Sequence, residues 1–110
     1  MAMITLYLRY TLDPNKLEAF AKYAAEEQIP IAESGGKIVG YFLPTDFAGS
    51  TSEAVGLIEF ESLAEYERYR ARLGEHPLHH RNVAALMNSG ALLSTVRSVI
   101  QRVEAAKEGR

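Results

Sequence analysis

The sequence predicts an α+β domain, and three observations predict it. A strand-helix-strand order runs twice within 110 residues. Each half opens on a strand that alternates apolar and polar positions, with Arg9 closing the polar face of the first and Glu59 that of the third. Two helix starts are written into the chain, at Asp13-Pro14 and at Ser62-Leu63-Ala64-Glu65. The resulting order, β-α-β-β-α-β, is the ferredoxin-like arrangement, a four-stranded, antiparallel-dominated sheet with its helices on one side.

Each element follows from local chemistry. Met3 to Leu12 sets Ile4, Leu6, Leu8 and Tyr10 on one face and Thr5, Tyr7, Arg9 and Thr11 on the other. Asp13 offers a side-chain acceptor to the free amides of a first helical turn, and Pro14 fits the first helical position. Leu17, Phe20, Ala21, Ala24 and Gln28 then recur at helical spacing, which leaves Lys16, Glu18, Lys22, Glu26 and Glu27 toward solvent. Pro30 kinks or ends this helix, one more turn is expected beyond it, and Gly35-Gly36 stops it. Lys37 to Pro44 reads as a strand, residues 45–52 as a loop of small and polar residues, and Glu53 to Glu61 as the third strand. The third strand sets Ala54, Gly56, Ile58 and Phe60 against Val55, Leu57, Glu59 and Glu61. Ser62 and Glu65 form a capping box, and Leu63, Tyr66, Tyr69, Arg70 and Leu73 make the inner face of the helix it opens. Gly74-Glu75-His76-Pro77 interrupts it, and a further helical piece over residues 77–88 is expected to bury Val83, Ala84 and Met87 before Gly90. Leu92 to Val103 alternates again, Val96, Ser98 and Ile100 against Thr95, Arg97, Val99 and Gln101.

Composition narrows the function classes. The chain is long enough for one domain, residues 1–110, burying roughly two-thirds of its unfolded surface, with residues 104–110 expected to fray. No apolar run approaches the ~20 residues of a membrane span. A net charge of -2, with Arg68, Arg70, Arg72 and Arg81 interleaved among Glu65, Glu67 and Glu75, leaves no one-signed stripe for nucleic acid. The absence of cysteine removes disulfides and thiolate chemistry and suits a reducing compartment. The opening Met-Ala-Met has no secretion-signal profile, so a cytoplasmic location is expected.

A right-handed crossover is expected to place the first and third strands side by side and parallel at the centre of the sheet. Arg9 and Glu59 would then lie near the same ends of neighbouring strands and meet. Helices cover one sheet face only, and the other would show Tyr7, Val39, Tyr41, Leu43, Val55, Leu57 and Val99 to water. A patch of that size calls for a partner, most simply a second copy, two sheets closing as a barrel. Inside it, Arg9 with Glu59 reads either as a salt bridge fixing register or as a ligand anchor, with Arg97 able to join. Tyr7 and Tyr41 flank the pair, as core residues or as substrate-positioning phenols.

His76, His79 and His80 stand within one turn of a helix start, a spacing compatible with a shared metal or haem, or with capping and dimer-rim roles. The His-Glu-x-x-His pattern of catalytic zinc helices is absent, only Glu75 is near as a third ligand, and no metal or cofactor is expected. No nucleophile elbow surrounds Ser34 or Ser89, and no phosphate loop is present.

Four pieces in order carry a family resemblance: Ile4-Thr5-Leu6-Tyr7-Leu8-Arg9-Tyr10 with Asp13-Pro14, Gly35-Gly36 with Val39-Gly40-Tyr41-Phe42-Leu43-Pro44, Gly56-Leu57-Ile58 with Phe60 and Ser62-Leu63, and Tyr66-Glu67-Arg68-Tyr69-Arg70-Ala71-Arg72-Leu73. Together, from Met3 to about Val103, the chain resembles the NIPSNAP family. The resemblance implies a dimeric α/β barrel and carries no catalytic motif with it. Eukaryotic members are mitochondrial and linked to vesicle traffic and mitophagy, a role not expected to transfer without their targeting region. Two functions are expected in competition. One is a homodimeric small-molecule-binding or accessory protein whose site draws on Tyr7, Arg9, Tyr41, Leu57, Glu59 and Arg97; the other is a cofactor-independent monooxygenase-like enzyme acting on an aromatic or polyketide-like compound.

Overall fold

The computed structural model describes residues 3–107. The elements are β1 (Ile4–Leu12), a short 3-10 turn (Pro14–Lys16), α1 (Leu17–Glu33), β2 (Lys37–Phe42), β3 (Glu53–Phe60), α2 (Leu63–Leu73), α3 (Pro77–Ser89) and β4 (Leu92–Ile100). Residues 101–107 carry neither helix nor strand, and the end of the expected frayed tail, 108–110, lies outside the described residues, as do residues 1 and 2. No helix among the described residues is long and apolar enough to cross a membrane.

The four strands lie in the order β2-β3-β1-β4, the α+β ferredoxin-like topology. One part of the expected topology is corrected: β1 and β3 are neighbours but run antiparallel. The crossover through α1 links β1 to β2, which are parallel but not adjacent, and β3 enters the gap between them on the return stroke of a hairpin. A strand that comes back from a hairpin must oppose its predecessor, and so opposes β1 as well.

The helix ends show why the segments stop where they do. Asp13 accepts from the Asn15 amide at 2.9 Å, and Ser62 Oγ accepts from the Glu65 amide at 3.1 Å, each satisfying a donor that the first turn leaves free. Pro30 lies inside α1, and the helix closes past it: the Gly36 amide donates to Ile31 O at 2.9 Å and the Gly35 amide to Ala32 O at 3.2 Å, with Gly35 at φ +108. That left-handed turn sends the chain straight into β2.

The core lies between the sheet and the helices. Ile4, Leu6, Leu8, Tyr10 and Leu12 of β1 meet Phe20, Ala24 and Ile31 of α1, Ala54, Ile58 and Phe60 of β3, Tyr69 and Leu73 of α2, and Leu86 of α3. Two helical faces are rotated from expectation. In α3 the buried residues are Asn82 and Leu86, while Met87 is 59% exposed and Val83 only half-buried. In α2, Leu63 is 58% exposed, and Tyr69 with Leu73 carries the packing. Hydropathy alone misplaces such faces when a polar residue turns inward to meet a polar partner, as Asn82 does.

The outer sheet face is read directly from the pairing. Phe42, Val55, Arg9 and Val96 form one row across the four strands, and Gly40, Leu57, Tyr7 and Ser98 the next. Tyr41 is not among them. The ladder between β2 and β3 shifts between Ile38 and Gly40, so that Tyr41 stands opposite Gly56 on the helix side. One extra residue in a strand reverses the facing of everything beyond it, which is why simple alternation misplaced Tyr41. Arg97 and Val99 stand opposite Leu8 and Leu6 and so also belong to the helix side, not to the outer face expected for them. Both sets of alternating residues on this edge strand mix apolar with polar, so its composition did not mark which one faces in.

Candidate functional site

The expected meeting of Arg9 and Glu59 does not occur. Arg9 stands opposite Val55 and Val96, and Glu59 opposite Thr5 and Lys37. Four residues along a strand separate their levels by about 13 Å. Antiparallel pairing of β1 and β3 is the cause, because it sends the two charges to opposite ends. Glu59 instead accepts from Arg102 Nη2 at 2.7 Å, and Arg9 is exposed on the outer face. Of the residues singled out as a site, Tyr7, Arg9, Leu57 and Glu59 share the outer face, whereas Tyr41 and Arg97 lie on the helix side.

Around Tyr41 and Arg97 the structure assembles a polar cluster that sequence reasoning missed. Its centre is Glu27, only 1% exposed. Both carboxylate oxygens are engaged: Oε2 lies 2.5 Å from His79 Nδ1, and Oε1 accepts from Asn82 Nδ2 at 3.1 Å. A carboxylate this deep is tolerated only when such partners satisfy it. Helix α1 supplies Glu27 and α3 supplies His79 and Asn82, so the cluster also ties the two helices together.

Beside it, a cavity of about 60 Å³ is bounded by Tyr10, Tyr23, Glu27, Tyr41, Tyr69, His79 and Arg97, with Arg70 and a floor of Leu6, Leu8, Ile31, Ile58 and Leu73. The Tyr10 and Tyr41 rings stack with centroids 6.1 Å apart, and their hydroxyls lie 3.4 Å from one another. Tyr41 reaches this position across Gly56, where an added Cβ would come within 2.8 Å of its ring. Burial pushes the Tyr10 hydroxyl up to about 12, with the Tyr41 hydroxyl opposing in part. Burial likewise raises Tyr23, Tyr41 and Tyr69 above the ordinary tyrosine range. All four phenols therefore keep their protons at neutral pH and present O–H donors. Outside the cavity, a groove of about 170 Å³ between α1 and α3 shares Tyr23 as a wall and continues past Asn82 and Leu86.

The other histidines have structural partners. His76 caps α3, its Nδ1 accepting from the Leu78 amide at 3.2 Å while Nε2 lies 2.7 Å from Glu33 Oε1. His80 Nε2 donates to Gly74 O at 2.6 Å. Among the described residues no group of three or more His, Asp or Glu side chains is placed to hold a metal ion. A wider surface groove of about 430 Å³ is lined by Met3, Gly35, Lys37, Glu59, Phe60, Glu61 and Glu65, three carboxylates and one lysine among them.

Glu27 was legible in principle. It stands three residues after Ala24 and four before Ile31, inside the apolar stripe of α1 and not beside it. A charged residue at a stripe position is the signal; in α3 the buried Asn82, one turn before the buried Leu86, has no such apolar stripe around it to mark it.

Comparison with known proteins bears on the family and the fold. The family model of NIPSNAP matches residues 6–107. No curated protein matches. An uncharacterized NIPSNAP-like domain protein from Burkholderia xenovorans is 25% identical over 97% of this chain and 90% of its own, with a TM-score of 0.78. A NIPSNAP family protein of unknown function from Agrobacterium tumefaciens is 21% identical over 96% of this chain and 92% of its own, with a TM-score of 0.79. A putative antibiotic biosynthesis monooxygenase from Caulobacter crescentus shares the fold at 14% identity over 94% of this chain and 92% of its own, with a TM-score of 0.67.

Proposed function

The chain belongs to the NIPSNAP family, and we propose that it works as a homodimer, each protomer binding a small planar compound between its sheet and its helices. The observation that carries the binding reading is the convergence on one cavity of four protonated tyrosines, Arg97 and the Glu27–His79 pair. Buried polar groups are costly unless they are satisfied, and converging donors beside an apolar floor are features of small-molecule sites, although at about 60 Å³ this cavity is smaller than the ~300 Å³ such sites ordinarily reach and has to open to admit a ring. Stacked tyrosine rings suit a flat ring, and hydroxyls with a guanidinium suit an oxygen carrying negative charge.

The outer face supports the dimer. Tyr7, Val55 and Leu57 with the half-exposed Phe42, Val96 and Ile100 form an apolar field that a second copy would cover, and Arg9 and Glu59 would sit within or at the rim of that contact. On this reading Tyr7, Arg9, Leu57 and Glu59 serve assembly, while Tyr41 and Arg97 serve the ligand. Lack of cysteine is in keeping with a cytoplasmic setting. The monooxygenase-like alternative has likeness of fold behind it, and fold does not carry chemistry.

Benzoate tests the pocket, because it is flat and already ionised. It is expected to raise the melting temperature of the wild-type protein and to lose that effect in Arg97→Ala. No shift in the wild type, or an equal shift in both, would overturn the binding reading.

A further inference from the structure

The geometry points to His79 as a general base for a compound with an acidic O–H or C–H bond, a phenol or an enolisable carbonyl compound, an inference that rests on the binding reading above. Asn82 donates one N–H to Glu27 Oε1, and the remaining oxygen, Oε2, lies 2.5 Å from His79 Nδ1. With Glu27 Oε2 as the acceptor, one imidazole proton belongs on Nδ1, and in the neutral ring Nε2 keeps a lone pair. Among the described residues Nε2 of His79 has no hydrogen-bond partner, and the ring lines the cavity with 23% of its side chain exposed. An oriented imidazole with a free nitrogen, backed by a buried carboxylate, is the arrangement that proton abstraction needs.

The other residues of the cavity fit the remaining tasks. Tyr10, Tyr23, Tyr41 and Tyr69 hold their protons, which makes them donors, and His79 Nε2 is the ring nitrogen on the wall that Glu27 leaves unengaged. When the substrate O–H or C–H bond breaks, its electron pair stays on the substrate as a phenolate or enolate and the proton goes to Nε2. The negative oxygen is met by Arg97 and a tyrosine hydroxyl, and the imidazolium by Glu27. Return of the same proton to another carbon or to the oxygen of that molecule completes a tautomerisation, with no oxidant or second reactant. The cavity takes only a few heavy atoms, so a larger molecule has to open it toward the groove that shares Tyr23 as a wall.

Two measurements on the whole protein test this. Nitrogen-15 NMR of the histidine rings is expected to find the His79 proton on Nδ1 and Nε2 bare. 4-Nitrophenol, whose ionised form absorbs at longer wavelength, is expected to bind the wild type as the phenolate at a pH where the free compound is largely protonated. His79→Gln is expected to bind it without ionising it, Glu27→Gln to lose most of the phenolate signal, and His80→Gln to keep it. A proton on Nε2 overturns the proposal, and that reading needs no variant to fold. Benzoate binding with 4-nitrophenol bound un-ionised overturns the base and leaves the pocket standing. Failure of both compounds to bind overturns the base together with the pocket.

Discussion

At the scale of single residues, Glu27 decides most. Its carboxylate joins α1 to α3 through His79 and Asn82, and removing it leaves two donors without an acceptor and a void at the inner end of a helix stripe. Glu27→Ala is expected to lower stability by roughly 2–4 kcal/mol, read from urea unfolding. Gly56→Ala is expected to cost about 1–3 kcal/mol, since the new methyl meets the Tyr41 ring at 2.8 Å and displaces it from the cavity. The tyrosines add a pH dependence. Tyr10 holds its proton to about pH 12 in the fold, whereas an unfolded tyrosine loses it near pH ~10. The folded state thus binds more protons than the unfolded one in that window. The contribution is whole below pH ~10 and is lost as pH rises toward the folded value, by about 1.4 kcal/mol per pH unit for this one group. Tyr23, Tyr41 and Tyr69 are shifted the same way and extend the loss. Urea midpoints that fall steeply above pH ~10 would bear this out; a flat profile through the window would contradict it. The site was half-legible from the sequence. Alternation singles out Tyr41 and Arg97 but sets them on the outer face, and helical spacing sets Glu27 toward solvent, where a glutamate on a helix usually stands.

At the scale of elements, the sequence signals that held were those with a local cause. Caps at Asp13 and Ser62, the glycine stop after Ser34 and the alternation of β1 and β3 each depend on a few adjacent residues, and each appears where it was expected. What failed depends on partners far along the chain. The relative direction of β1 and β3 is set by the connection that precedes each, the facing of Tyr41 by a slip against β3, and the rotation of α3 by an amide seeking a carboxylate on α1. Ser62→Ala is expected to cost about 1 kcal/mol and to speed amide exchange in the first turn of α2 without disturbing β3. Unchanged exchange at Glu65 would show that the cap carries no weight.

At the scale of the whole molecule, the sheet has two faces with two occupations. Its inner face takes helices and a small polar cavity; its outer face, from Phe42 across Val55 and Leu57 to Tyr7, Val96 and Ile100, is the one proposed to meet a second copy. Stable interfaces hide about 1,200–2,000 Å² in all, and a four-stranded sheet face meeting its copy is of that order. A charge placed in the middle of that field is expected to undo the pairing, since it would be buried without a partner. A change in the cavity is expected to leave it untouched. The most direct test of this division is the mass in solution, by light scattering at micromolar concentration, of the wild type, Leu57→Glu and Tyr41→Ala. The expected masses are twice the 12.2 kDa chain for the wild type and for Tyr41→Ala, and 12.2 kDa for Leu57→Glu. A wild type that runs at 12.2 kDa, or a Leu57→Glu protein that still runs at twice that, would contradict it.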